Sequence, residues 1–253
     1  MSEILYEVQD KIAYVTLNRP EKRNALNEAL INSLKQVLQQ IDKDSSLNAI
    51  VIRGAGTDFC SGADLSSLRK ISESDILQNL SDAEKLMDLF LLLRRLKLPV
   101  IAAVTGRALA GGCGLATACD IVLAAKSASF GYPEVKIGFV PAMVTAILRR
   151  NISEKKAFEL ITQGFIFSAE HAEKIGLVNH VFDDETFEEN VKEYVSVYNK
   201  LPKSAVSLSK KLLYQIDTLD FTSALQIGAG INTIARFTDE CKAGIDKFLS
   251  KKD

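Results

Sequence analysis

Residues 106–120, GRALAGGCGLATACD, place four glycines within nine positions and then run on into small and apolar residues. Glycine at that density lets a backbone approach a ligand closely. Two phosphate-cradling patterns can be tested on it at once. Gly106 and Gly111 have the spacing of a P-loop, but Gly112 stands where the phosphate-neutralising lysine belongs, so the charge partner of a nucleoside triphosphate is missing. Gly112 and Gly114 supply the first two glycines of a dinucleotide fingerprint, but Thr117 occupies the third position, where helix–strand packing wants no bulk. The stretch therefore reads as a tight strand-to-helix turn that admits something other than a pyrophosphate.

Strand and helix alternate on both sides of this turn. The β-rich KIAYVTL (11–17) follows the turn-like VQD and forms the second arm of an N-terminal hairpin. Residues 25–43 carry Leu30, Ile31, Leu34, Val37, Leu38 and Ile41 at helical spacing. NAIVIRGAG (48–56) and LPVIAAVTG (98–106) are short apolar strands running into glycine, separated by the amphipathic DAEKLMDLFLLLRRLK, and DIVLAA starts a third strand at Asp120. Such alternation implies a parallel sheet with crossover helices, in which ligands gather outside the strand ends. From about residue 153 the pattern becomes mostly helical, with SEKKAFELITQG and SAEHAEKIG each opening on a serine cap and closing on glycine. We divide the chain into a core, 1–195, and a helical C-terminal region, 196–253.

The chain has 253 residues, 47% hydrophobic and 25% charged, with a formal net charge of −1, which suits a globular protein with a sizeable core. That balance gives no broad basic field for nucleic acid or an anionic membrane. MSEILYEVQD carries acids where a secretory leader carries bases, and no apolar run approaches a membrane span, so the expected compartment is the cytoplasm. Cys60, Cys113, Cys119 and Cys241 lack C-x-x-C spacing, and only His171 and His180 could add imidazoles, so no metal site is expected and the thiols read as free.

Four pieces in order, LNRPEKRNAL, FCSGADL, GRALAGGCGLATACDIVLAAKSASFGYPEVKIGFVPA and AEKIGLVNHVF, together resemble the enoyl-CoA hydratase/isomerase, or crotonase, family across essentially the whole chain. The resemblance implies an α/β crotonase-like fold, a spiral of strand–helix units with a largely helical C-terminal region. It implies an acyl-CoA thioester as substrate, with coenzyme A part of that substrate and no separate cofactor. The thioester carbonyl would lie between the backbone N–H groups of Ala63 and Gly111, and donors at a helix N-terminus do suit a developing oxyanion. The family's CoA contacts fall on Lys22, Arg23, Ala25, Ala63 and Asp64. Phe248 and Lys251 match a C-terminal pair that reaches the CoA of a neighbouring subunit, which implies a homotrimer or homohexamer. No aromatic tail follows Lys251.

Hydratases of the family carry two glutamates. One is present as Glu134 in FGYPEVKIGF; the other is replaced by Gly114. Adding water across C2=C3 needs a base for the water and an acid for C2, whereas moving a double bond from C3=C4 to C2=C3 needs one carboxylate to carry a proton from C2 to C4. The single glutamate therefore favours isomerisation of a 3-enoyl-CoA. The alternative is hydration of a 2-enoyl-CoA, short or branched, using a second group, for which Asp64 and Tyr132 are the nearest candidates. Restoring a carboxylate by Gly114→Glu is expected to increase hydration. Ala142 stands where the dehalogenase branch has its aspartate nucleophile, which sets that chemistry aside. Enolate stabilisation alone also serves decarboxylases. A reading from another class, a non-catalytic CoA- or RNA-binding protein, draws on the lost glutamate; retention of Glu134 and both turns opposes it, and the balanced charge opposes RNA.

Overall fold

A computed structural model describes residues 2–250. Its first two strands, β1 (Ile4–Gln9) and β2 (Ile12–Leu17), form the antiparallel hairpin, turned through Asp10 and Lys11 at φ 48° and 63°. Two successive left-handed residues match the twist of paired strands, which is why the loop can be this short. After it come β3 (Ala49–Gly54), β4 (Val100–Val104), β5 (Arg107–Leu109), β6 (Ile121–Ala125), β7 (Ser129–Gly131), β8 (Ile166–Ser168) and β9 (His180–Phe182). The main sheet has the order β1-β2-β3-β4-β6-β9, parallel from β2 onward, and a small second sheet has the order β5-β7-β8.

Period-two alternation divides the main sheet's side chains between two layers. Ala13, Val15 and Leu17 of β2 face a core shared with Leu30, Leu34 and Leu38 of the helix Glu28–Ile41 and with Leu89 and Leu93 of the helix Ile76–Arg95. Ile12 and Tyr14 face the opposite side, where Phe187, Val191 and Val195 of the helix Phe187–Ser196 cover the sheet. Strands covered on both faces read as continuous apolar runs, as β2 and β4 do. Asn27 begins the first helix by accepting the Leu30 N–H at 2.8 Å.

Three short strands interrupt what the sequence presents as loop or helix. β5 follows β4 after Gly106, and β8 and β9 lie inside the region read as mostly helical from residue 153. Each is three residues long and too short to show a period, so only its pairing defines it. Beyond Ser196 the described residues bury a single side chain, Lys210, whose ammonium donates to the carbonyls of Leu93 and Leu98 and to Asp120. No helix among the described residues is long and apolar enough to cross a membrane.

Candidate active site

The segment 60–64 runs between two neighbours. On one side Cys60 pairs with β5, its N–H donating to Arg107 O and its carbonyl accepting from Leu109 N. On the other side the polar turn after β2 holds it, with Ser61 N–H to Arg23 O at 3.0 Å, Leu26 N–H to Gly62 O at 2.7 Å and Asp64 N–H to Leu26 O at 2.9 Å. In a parallel bridge the residue whose two neighbours make the bonds points its own N–H the other way. Ala63 is that residue, bridged to Leu26, so its N–H points away from this turn.

Gly62 lets the chain reverse there. Its φ is +100°, and a Cβ on it would lie 3.0 Å from both Ala110 Cβ and Leu109 O, so the turns carrying Ala63 and Gly111 are packed against each other. Gly112 is a second obligatory glycine, because a Cβ there would fall 2.3 Å from Cys60 O. Gly111 is the first residue of the helix Gly111–Ala118, whose N-cap Ala110 holds φ 48°, ψ −125°. An alanine in that region is strained, and such strain is retained where surrounding structure enforces a geometry. Among the described residues neither Ala63 N–H nor Gly111 N–H donates to a backbone carbonyl. The helix end contributes partial positive charge beside Gly111, so the paired turns present two donors where an oxyanion would be stabilised.

Glu134 lies in the 3-10 turn Pro133–Ile137 that follows β7, the strand whose Gly131 carbonyl accepts Ala110 N–H at 2.8 Å. The glutamate is half-buried, and its Oε2 is shut off from solvent with no hydrogen-bond partner among the described residues. Burial raises its pKa, with a smaller opposing pull from its own backbone N–H. A carboxylate desolvated and poor in donors is a stronger base than a solvated one, which suits proton transfer.

Gly114 lies one turn into the same helix as Gly111. A Cβ built on it would fall 2.4 Å from Val144 Cγ1 and 3.2 Å from Phe90 Cζ, so apolar side chains already fill the space beside it. Gly114→Glu therefore cannot simply restore a second carboxylate, contrary to the sequence-based expectation. Sequence reasoning had no means of seeing Val144, thirty positions away. The two other candidates for a second proton carrier are also committed elsewhere. The Asp64 carboxylate caps the helix Leu65–Glu73, accepting from Ser66 N–H at 2.9 Å, Ser66 Oγ at 2.8 Å and Arg19 Nη2 at 2.8 Å. Burial pushes its pKa up, but those donors outweigh it and hold the carboxyl below the usual range. Tyr132 is fully buried beneath the helix Gly111–Ala118, its hydroxyl 3.3 Å from Thr117 Oγ1, and burial drives its pKa well above the ordinary value.

The remaining expected contacts separate into two groups. Lys22 and Arg23 are exposed on the turn that holds residues 61–64, and Ala25 is buried in it, so all three sit next to the Ala63 turn. Phe248 lies on the helix Asp239–Leu249, which packs on the two helices before it, and is 62% exposed. Lys251 falls outside the described residues. Arg19, which the sequence reading passed over, ties the site's edge together: it donates to Ala25 O at 2.6 Å and pairs with Asp64 at 2.8 Å and Glu3 at 2.9 Å. Its position inside LNRPEKRNAL was the available signal.

Two backbone donors at facing turns and one desolvated carboxylate define a protein that can hold a thioester carbonyl and move a proton beside it. The family model for enoyl-CoA hydratase/isomerase matches residues 7–253. The 2,3-dehydroadipyl-CoA hydratase of Escherichia coli is 33% identical over 253 residues, covering 100% of this chain and 97% of the relative, and the crotonyl-CoA hydratase of Syntrophomonas wolfei is 32% identical over 251 residues, covering 98% and 95%. The crystal structure of an enoyl-CoA hydratase from Mycobacterium smegmatis superposes with a TM-score of 0.94 at 30% identity, covering 98% of this chain and 96% of that one. The chain belongs to the enoyl-CoA hydratase/isomerase family and has the crotonase fold. It is an enzyme of that family, acting on acyl-CoA.

Proposed function

We propose that this enzyme isomerises a 3-enoyl-CoA to the 2-enoyl-CoA, with Glu134 as the only proton carrier. The observation that carries the reading is the pair of environments facing the helix Gly111–Ala118: Glu134 Oε2 is buried without a partner, while the space beside Gly114 is occupied by Val144 and Phe90. In the reaction the Ala63 and Gly111 N–H groups hold the thioester oxygen as it takes on charge. Glu134 takes the C2 proton, and the C2–H electrons form C1=C2 as the carbonyl pair moves onto the thioester oxygen to give the dienolate; as the carbonyl re-forms, C1=C2 shifts to C2=C3 and the C3=C4 pair takes the proton back from the same carboxyl at C4. Lys22, as a flexible point charge, and Arg23, through its guanidinium fork, meet the polar end of the CoA. Phe248 and Lys251 act across a subunit boundary, in a homotrimer or homohexamer.

Hydration of a 2-enoyl-CoA is the second reading, and the names of the similar proteins favour it. The two are separated by following loss and gain of the conjugated 2-enoyl thioester with 2-enoyl- and 3-enoyl-CoA substrates over a range of chain lengths. The wild type is expected to convert 3-enoyl-CoA and to hydrate 2-enoyl-CoA slowly, and Glu134→Gln is expected to lose the isomerisation by roughly 10²- to 10⁴-fold. Rapid hydration with no conversion of 3-enoyl-CoA would refute the one-carboxylate mechanism.

A further inference from the structure

The helix that starts at Gly111 ends, at Ala118, on a cavity of about 890 Å³. Three helices face it, each with a stripe at helical spacing: Met87, Phe90, Leu91 and Arg94 from Ile76–Arg95; Met143, Ala146, Ile147 and Arg150 from Ala142–Asn151; and Ser207, Lys211 and Tyr214 from Lys203–Gln215. Methionine, phenylalanine, leucine and isoleucine make the walls, and Arg94 and Arg150 meet at Asp217.

The helix Ile76–Arg95 runs past both the candidate active site and the cavity. Leu86 Cδ2 lies 3.8 Å from the Cβ position of Gly111, Phe90 stands over Gly114 and lines the cavity, and Arg94 follows one turn later. From Leu86 to Arg94 the helix rises by roughly 12 Å at about 1.5 Å per residue. An extended carbon chain whose bonds of about 1.5 Å each advance roughly 1.25 Å covers that in about ten bonds, fewer once the reach of the arginine is counted.

The charge on the cavity's lining is one-sided. Arg94, Arg95, Lys97, Arg150 and Lys211 line the cavity against a single anion, Asp217, in a chain whose formal net charge is −1. Asp217 Oδ2 accepts from Arg94 Nη1 at 3.2 Å and from Arg150 Nε. Arg94 also lies over the Tyr214 ring at 4.7 Å. The Nη2 of neither guanidinium donates to another described residue. Arg94, Arg150, Tyr214 and Asp217 also line a smaller polar niche of about 320 Å³ with Asn151 and Asn179, so the apolar cavity ends on a polar wall. The Arg94 and Arg150 side chains are 22% and 36% exposed, sheltered enough for an ion pair there to count for more than one on open surface.

We propose that this cavity receives the far end of the acyl chain and selects a chain that ends in a carboxylate, an ω-carboxyacyl-CoA of medium length, with Arg94 and Arg150 as the specificity-determining residues. The proposal rests on the thioester being held at Ala63 and Gly111. It does not depend on whether the enzyme isomerises or hydrates. Apolar walls accept the methylene run, and guanidinium N–H groups left over from Asp217 accept a second carboxylate in the fork geometry that arginine favours.

Equilibrium binding of unreactive saturated thioesters tests it on the intact enzyme. Acetyl-CoA, too short to reach the cavity, reports the thioester site alone; decanoyl-CoA and its ω-carboxy counterpart report the cavity. The ω-carboxy thioester is expected to bind about ten-fold tighter than decanoyl-CoA, and the ratio is expected to fall toward one in Arg94→Met and in Arg150→Met, each of which leaves Asp217 one guanidinium partner. Equal affinity of the two long thioesters in the wild type, with acetyl-CoA bound, overturns this proposal and leaves the proposed function standing. A ratio that neither variant changes also overturns it. Failure of acetyl-CoA to bind overturns both.

Discussion

The crowding at Gly114 gives a stability prediction that can be worked from distances. A Cβ at this position meets Val144 Cγ1 at 2.4 Å, Phe90 Cζ at 3.2 Å and Val144 Cβ at 3.6 Å. The first contact is far inside van der Waals range, and Val144 is a short β-branched side chain, 4% exposed, with no flexible end to swing aside. Gly114→Ala should therefore cost roughly 1–3 kcal/mol in overpacking, offset in part by about 1 kcal/mol of helix propensity. Val144→Ala removes two buried methyls at a cost of roughly 2 kcal/mol, but it also removes Cγ1 and leaves Cβ at an ordinary 3.6 Å. In that background Gly114→Ala should be neutral or stabilising, so the double-mutant cycle should show a favourable coupling of roughly 1–3 kcal/mol. Urea unfolding of the four proteins at one protein concentration measures it. The same cycle carries the chemistry: Gly114→Glu alone should gain no hydration of 2-enoyl-CoA, and only with Val144→Ala should a second carboxylate find room to act. Full stability of Gly114→Ala in the wild-type background, or zero coupling, would show that the helix Ala142–Asn151 does not fill this space as described.

Other outcomes follow from the same geometry. Glu134 has a raised pKa in the folded chain, so the folded state binds its proton more tightly than the unfolded state, and stability from this group is complete below the ordinary value of 4.5 and lost as pH rises through the raised one. Glu134→Gln should thus be more stable than wild type at neutral pH, a difference that disappears below the ordinary glutamate range, and the acid limb of the wild-type kcat/KM profile should lie above that range; denaturation curves and rates across pH check both. Replacing the Ala110–Gly111 amide by an ester deletes one donor without a proline, which the positive φ of Ala110 would not accommodate, and should lower kcat roughly 10²- to 10³-fold; an unchanged kcat would remove Gly111 from the oxyanion assignment. The last three helices leave Phe221 at 79%, Phe237 at 74% and Leu225 at 59% exposure, so light scattering should return three or six times the chain mass of 27.7 kDa, and a monomer at working concentration would leave the cross-subunit role of Phe248 and Lys251 without support.

Local physics made much of this protein legible in one dimension. The stripe Leu30, Ile31, Leu34, Leu38 and Ile41 and the apolar runs of β2 and β4 are set by periodicity and by side chains acting within a few residues, so they could be read directly. The glycines of residues 106–114 announced a close backbone approach, and their motif context pointed to Ala63, Gly111 and Glu134. Three-dimensional packing decided the rest. β5, β8 and β9 exist only through partners elsewhere in the chain, since three residues carry no pattern of their own. The sequence showed that Gly114 lacks a carboxylate; the fold showed that Val144, from a later helix, occupies the place where one would stand. Asp64 and Tyr132 looked available as titratable residue types and were taken up by Ser66, Arg19 and Thr117, because hydrogen-bond satisfaction depends on neighbours in space. The five cations that line the cavity with Asp217 come from three helices and from Lys97 just beyond the first of them, positions spread over more than a hundred residues, and a field of that kind is a property of their convergence, invisible in a chain whose charges sum to nearly zero.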